Sequence, residues 1–441
     1  MDIPGMLAPE ECEYLGEVAS RVQGRGRVVE LGCFLGRSTV SLVDGLRANP
    51  RAILPMLTYD SFRLDGFAAS HFDLSLRAGD DFQPLFRDFV GKDRLASMAV
   101  RAVWVPENLT EVSEHALYPE QEPIELLFVD LAKSWRLHKA VLQAFGRHMV
   151  DGAVLIEQDF RDSQAYWIPV NHHSLRHIFD SEHWTTTSCT VSFRSVRGLT
   201  ASDVAMLPDP MAMTVAEAAR MWDEIEAWWQ DRVGMRVLPR LRMARAFHMH
   251  DLRATEHVVE AMEAALEIVP LVSIEDGYTV EVTGLSWWLA FLERKLLSCE
   301  GGSALAPIIA DWWERIGSME TLRWNSIADQ LLAEGRTRIT LYGAGQHTRR
   351  LLASGWASRG LEVCAIVDDG VREDGAHIEG IPVVLPKDAP KDLDAIVLSS
   401  DAHEPALARR AEEEFGGRGI PIVRMYTRAE SVPVTHPIHP G

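Results

Sequence analysis

Two glycines four positions apart, set between a β-branched run and an apolar helix, constrain this chain more than any other feature. The string is Val28-Val29-Glu30-Leu31-Gly32-Cys33-Phe34-Leu35-Gly36-Arg37-Ser38-Thr39, and Val40-Ser41-Leu42-Val43 follows it. It predicts a strand, a tight turn and a helix, the opening of an α/β unit. Glycine permits the turn and lets a ligand approach the backbone. A dinucleotide site would want G-x-G-x-x-G, with helix amides free for a pyrophosphate. Here the third glycine is missing, and Glu30 puts negative charge at the strand end, where a diphosphate would be repelled. A cationic ligand without phosphate suits the turn better. S-adenosylmethionine, with its sulfonium and ammonium groups, is one.

The surrounding pattern fits a doubly wound sheet. Strand candidates fall at 27–31, 53–59, 100–105, 124–130 and 152–157, with helical stretches such as 133–149 between them. Such alternation implies a mostly parallel sheet. The second candidate strand ends in Thr58-Tyr59-Asp60, the fourth in Phe128-Val129-Asp130 and the fifth in Glu157-Gln158-Asp159. Carboxylates at the carboxyl ends of strands lie where open α/β folds bind ligands, and one at Asp60 would accept hydrogen bonds from ribose hydroxyls. Gly32, Cys33, Gly36, Arg37, Ser38, Asp60, Ser61, Phe62 and Asp130 are the expected ligand residues, with Glu30 near the amino-acid end.

After Met206-Leu207-Pro208-Asp209-Pro210 the period changes. Thr214 and Glu217 form a capping-box signature, and Val215, Ala218, Trp222, Ile225 and Trp229 follow at helical spacing. Further helices are expected near 254–268, 286–298, 304–316 and 326–334. The pairs Trp228-Trp229, Trp287-Trp288 and Trp312-Trp313 read as helix–helix core or as a homo-oligomer surface, with an aromatic substrate cage as the alternative. His248-Met249-His250 would set both rings on one side of a strand, but without a third ligand it suggests no metal.

Near Arg338 the α/β pattern returns. Ile339-Thr340-Leu341-Tyr342 precedes Gly343-Ala344-Gly345-Gln346-His347-Thr348, and a second strand from Glu362 to Val367 ends in Asp368-Asp369. Strand-like segments recur at 381–385, 395–398 and 420–426. The reading is therefore an α/β domain over 1–205, a helical tryptophan-rich connector over 206–335, a second, smaller Rossmann-like domain over 336–430, and a loose tail over 431–441.

Composition narrows the class of partner. With 44 Lys and Arg against 64 Asp and Glu in 441 residues, the net charge of −20 argues against a nucleic-acid binder. Five scattered cysteines with no C-x-x-C pair suggest neither a disulfide framework nor a thiolate zinc site. The opening Met1-Asp2-Ile3-Pro4-Gly5 is unlike a signal peptide, and no apolar run suits a membrane span. A cytoplasmic protein acting on a small molecule is the expectation.

Over roughly 10–200 the ordering resembles the class I S-adenosylmethionine-dependent methyltransferases, in the E-x-G-x-x-x-G-x-S-T form common in small-molecule O-methyltransferases. In that subfamily the fourth strand runs into F-V-D-G-D-H-S-Y and the fifth ends in a histidine–aspartate pair. The corresponding string here is Phe128-Val129-Asp130-Leu131-Ala132-Lys133-Ser134-Trp135, so a metal-binding aspartate has become Ala132 and a histidine Lys133. Asp130 and Asp159 are left as weak candidates for one Mg²⁺. Lys133 is either a base, given a depressed pKa, or an ion-pair partner of Asp130. His138 and the pair His172-His173, read as loop residues, are the alternatives for proton transfer. The segment from Tyr342 through Asp369 to Ile378-Glu379-Gly380-Ile381-Pro382-Val383 resembles the nucleotide-sugar-binding domain of bacterial sugar N-acetyltransferases and the terminal domain of sugar C-methyltransferases. That resemblance implies nucleotide-sugar contacts from Gly343, Gly345, His347, Asp368 and Asp369. Together the two resemblances imply methyl transfer to a hydroxyl of a sugar, a nucleotide-linked sugar or a natural-product intermediate. A binding or assembly module without turnover, and an oxidoreductase holding NAD(H) on the Gly343–Gly345 turn, are the competing readings.

Overall fold

The computed structural model describes residues 3–72, 74–103, 117–119, 121–184, 189–269, 278–299, 302–370, 375–400 and 404–425. The tail read at 431–441 lies outside the described residues. By its contacts the described chain divides into two units, one of residues up to 234 and 240–261, the other of 235–239 and 262–425. The helices of 206–335 are thus shared between the two.

In the first unit a seven-stranded sheet comprises β1 (Arg27–Leu31), β2 (Met56–Asp60), β3 (Met98–Ala102), β4 (Ile124–Val129), β5 (Met149–Glu157), β6 (Phe179–Trp184) and β7 (Val191–Ser195). Their order is β3-β2-β1-β4-β5-β7-β6. The first five run parallel, and β7 is antiparallel to both β5 and β6. The chain leaves β1 towards β2 on one side and returns to β4 on the other, which makes the β1–β4 junction the switch point, where ligands of open α/β sheets bind. β4 is buried along its whole length, as a central parallel strand covered on both faces should be.

Helix α1 (Pro9–Ser20) packs on α2 (Arg37–Arg47), while α3 (Trp135–Ala144) and α4 (Trp167–Ser174) precede and follow β5. The stretch read as one helix over 133–149 is α3, then a 3₁₀ turn at Gly146–His148, with β5 already begun at Met149. Helix α5 (Val215–Val233) starts at the expected capping box, Thr214 with Glu217. Its Trp229 is buried against Phe160, Trp184 and Phe193. In α6 (Leu238–Asp251), His248 accepts a hydrogen bond on Nδ1 from Trp222 Nε1 at 3.0 Å, and its Nε2 meets the Pro210 carbonyl at 2.8 Å. His248 and His250 therefore lie on a helix, not on the strand their spacing suggested.

The remaining helices are α7 (Thr255–Ile268), α8 (Tyr278–Ser298) and α9 (Ala306–Ala333). α9 replaces the two separate helices expected at 304–316 and 326–334; no break occurs between them. Within the second unit Trp312 is fully buried and donates to Glu263 Oε1 at 2.6 Å. Trp222, Trp229 and Trp312 are core residues, not a cage.

The second sheet comprises β8 (Arg338–Tyr342), β9 (Glu362–Val367), β10 (His377–Ile378), β11 (Ile381–Val384), β12 (Ala395–Leu398) and β13 (Ile422–Arg424), in the order β10-β11-β9-β8-β12-β13. All neighbours are parallel except the β10–β11 hairpin. Helices α10 (Gln346–Ala353) and α11 (Glu404–Phe415) complete a second Rossmann-like layer. Trp324, Ile327, Ala328 and Leu331 of α9 pack into its core beside Ile339, Leu341 and Val397. Among the described residues no helix is long and apolar enough to cross a membrane.

Candidate functional site

The carboxyl ends of β1, β2, β4 and β5 gather the expected residues along one edge of the first sheet. The turn between β1 and α2 is built around Glu30, which is fully buried. Ser38 Oγ donates to its Oε1 at 2.6 Å, and Thr39 Oγ1 and Thr58 Oγ1 donate to Oε2 at 2.8 and 3.1 Å. Burial pushes its pKa up to about 7 against these hydroxyls, and Asp60 adds to the rise. Glu30 is thus a buried anchor beneath the turn. It does not face a ligand's amino-acid end as expected, and Ser38 is committed to it.

Gly32 has φ +86°, and a Cβ there would run into the Asp130 carbonyl, so glycine is required. Above the turn, Cys33 N and Phe34 N donate to Asp60 Oδ2 at 2.9 and 3.0 Å, and Phe62 N donates to Oδ1 at 2.9 Å. Ser61 Oγ lies a further 3.4 Å from Oδ1, so Asp60 clamps the turn as well as facing the edge. Cys33 and Phe62 are buried, whereas Gly32, Phe34, Asp60, Ser61 and Asp130 are only half-buried and line the edge. Arg37 reaches back to the Ile3 carbonyl at 3.3 Å. Residues 104–116, which follow β3 in the chain, lie outside the described residues.

After β4, Lys133 Nζ lies 2.6 Å from Asp159 Oδ2 and 3.5 Å from Asp130 Oδ1. The Gln158 amide, in the orientation that satisfies both carboxylates, donates to Asp159 Oδ1 at 2.6 Å and Asp130 Oδ1 at 3.2 Å. Ala132 accepts from Trp167 Nε1 at 2.9 Å and Ser134 caps α3, so the segment carrying Lys133 is fixed at both ends. Desolvation pulls the Lys133 pKa down, but the Asp159 and Asp130 carboxylates more than offset it and hold the ammonium above the ordinary lysine range. This corrects the reading of Lys133 as a base: it is a cation between two carboxylates. The same geometry disfavours Mg²⁺ on Asp130 and Asp159, because the ammonium already stands where a metal would bridge them. For Asp130 burial dominates and raises the pKa, with Lys133 opposing and Asp159 reinforcing. Asp130 is thus a half-buried carboxylate at this edge whose pKa lies above the ordinary range.

His138 and His172 lie elsewhere, wholly buried around Glu157. His172 and His173 sit on α4, not in a loop, and His173 Nε2 pairs with Glu224 at 3.1 Å. In the sequence Glu157 and Gln158 are simply part of an acidic strand end, and no spacing signal separates the role of one from that of the other.

The second sheet repeats the arrangement. Ala344 N and Gly370 N donate to Asp368 Oδ2 and Oδ1, each at 2.8 Å. Gly343 has φ +115° and Gly345 caps α10. Asp369 accepts from Tyr342 Oη at 3.0 Å and pairs with Arg410 at 3.1 Å. His347 is buried, its Nδ1 3.0 Å from Ser399 Oγ, and belongs to the core rather than to a ligand surface.

No family model matches the chain, and no curated protein matches it. Among solved structures it is similar to cofactor-bound Rv0187 from MTB, with 18% identity over 45% of this chain and 85% of that one, and a TM-score of 0.31. It is also similar to a protein from Klebsiella pneumoniae described as an O-methyltransferase, with 16% identity over 44% and 84% and a TM-score of 0.31. A third is the O-methyltransferase from Bacillus cereus in complex with SAH, with 15% identity over 44% and 84% and a TM-score of 0.30.

Proposed function

We propose that the first unit is an S-adenosylmethionine-dependent methyltransferase acting on a hydroxyl of a small molecule. The observation that carries this reading is the edge itself: an open glycine turn beside the β1–β4 switch point, Asp60 on one side, and the Asp130–Lys133–Asp159 cluster on the other. A sulfonium ligand finds carboxylates and no phosphate cradle there. When bound, it supplies an electrophilic methyl group on a neutral leaving group. Asp130, at the end of β4 and 3.5 Å from Lys133 Nζ, would take the proton of the acceptor hydroxyl as the methyl group is transferred, its pKa raised by burial. Lys133 neutralises Asp159 and keeps that neighbour from repelling the ionised base. Positioning does the rest.

The second unit, on this proposal, anchors a nucleotide or other carrier end of the acceptor at the Gly343–Gly345 turn. Asp368 closes that turn as Asp60 closes the first, which supports a related use.

Calorimetry with S-adenosylhomocysteine tests the cofactor site. Wild-type protein should bind it, and Asp60→Ala should weaken binding about tenfold or more, since charge-assisted hydrogen bonds contribute about 1.5–3 kcal/mol. No binding by the wild type, or equal affinity in the variant, would reject the assignment.

A further inference from the structure

Behind the proposed site, His138 on α3, Glu157 at the end of β5 and His172 on α4 converge, none exposed by more than a few per cent. His138 Nε2 and His172 Nε2 stand 3.0 and 3.2 Å from Glu157 Oε1, and one donor atom from each residue lies within 4.8 Å of the other two. We propose that these three residues form a zinc site that locks α3 and α4 onto the carboxyl end of β5.

Hydrogen bonding alone leaves too much unpaired. With protons on both Nε2 atoms, His138 Nδ1 accepts from Asn171 Nδ2 at 3.0 Å. Glu157 Oε2, His172 Nδ1 and Asn171 Oδ1 are then buried without partners, although buried polar atoms are overwhelmingly satisfied. A metal ion would give the orphaned Glu157 Oε2 a partner. Two imidazole Nε2 atoms and the Glu157 carboxylate, whose two oxygens share a single vertex, would supply three protein ligands. His138 Nδ1 then carries the proton, and turning the Asn171 amide end for end lets Oδ1 accept it, the outer-shell bond that metal-bound histidines make. Tetrahedral zinc with bonds of 2.0–2.1 Å sets neighbouring ligand atoms about 3.3 Å apart, close to the separations here. Imidazole ligands favour zinc over the hard Mg²⁺. The walls are apolar: His172 stacks on Phe193 with centroids 3.9 Å apart, and Phe160 meets it edge-on. A site so enclosed takes its metal as the chain folds.

The full-length protein, unfolded in chelator and refolded with or without Zn²⁺, provides the test. Refolding with zinc should leave about one ion per chain by elemental analysis after desalting, and raise the melting temperature over the zinc-free sample. Refolding with Co²⁺ should give the intense visible bands of a tetrahedral cobalt centre. His172→Ala and Glu157→Gln should lose the metal, while Asp130→Asn and Asp159→Asn keep it. If the two core variants fail to fold, the cobalt spectrum of the wild type decides. Metal below about a tenth of an equivalent with no thermal shift, an octahedral cobalt spectrum, or metal lost with Asp159→Asn but kept with His172→Ala would each overturn the proposal.

Discussion

A carboxylate sealed under a turn makes stability depend on pH in a direction opposite to most acidic groups. Glu30 titrates near 4.5 when unfolded and about 7 when folded. Between those values the native state holds the extra proton, so stability is full below about 4.5 and declines as pH rises through 7. The shift corresponds to about 3 kcal/mol. Glu30→Gln should therefore lose less melting temperature from pH 5 to 8 than the wild type does; scanning calorimetry at a series of pH values reads the difference. A parallel pair of curves would assign the pH dependence to other groups. Lys133 carries the second expectation at this scale. Lys133→Met removes the cation between Asp130 and Asp159, so the Asp130 pKa should rise further and the acidic limb of the pH–rate profile should move to higher pH by about one unit or more. Affinity for S-adenosylhomocysteine and insensitivity to chelator should both stay as in the wild type. At the residue scale the sequence carried identities but not burial. Glu30 and Asp60 are equally acidic strand-end residues, yet only the fold places three hydroxyls under one and backbone amides on the other.

Periodicity worked where one face of an element is polar. The helix Val215–Val233 shows alternating steps of three and four and a capping box, and it formed where expected. Parallel strands such as Ile124–Val129 announced themselves as apolar runs with a terminal carboxylate. The hairpin Phe179–Trp184 and Val191–Ser195 gave no such signal, because Asp180, Glu182 and His183 interrupt its first strand. Helix Leu238–Asp251 is nearly without an apolar stripe, so a His-x-His spacing could be taken for a strand. Two helices were expected at 304–316 and 326–334, yet Ala306–Ala333 runs on through Gly317-Ser318. A Cβ at Gly317 would meet nothing within 4 Å. Gly317→Ala should therefore stabilise the protein by about 0.5–1 kcal/mol, seen as a higher denaturation midpoint with unchanged slope. A lower midpoint would mean that the glycine is needed for a bend there.

At the scale of the whole molecule, two sheets of the same class carry the same clamp, a strand-end aspartate accepting from the turn of the preceding strand. If each clamp serves its own ligand, the full chain should show two independent thermal responses, one to S-adenosylhomocysteine and one to a nucleotide or nucleotide sugar. Asp368→Ala should abolish the second and spare the first. A nucleotide screen that raises no transition would leave the second sheet as scaffold.

The chain passes between its two compact units at 234–235, 239–240 and 261–262, so neither is a single uninterrupted stretch. Phe160, Trp184 and Phe193 are covered in part by Trp229, which follows β7 by more than thirty residues. A ribosome adding about 5–20 residues per second will therefore have delivered every strand of the first sheet before the helix that closes it emerges. For those seconds the nascent sheet shows an aromatic face to solvent or to a chaperone, and any fragment cut at residue 205 would show it permanently.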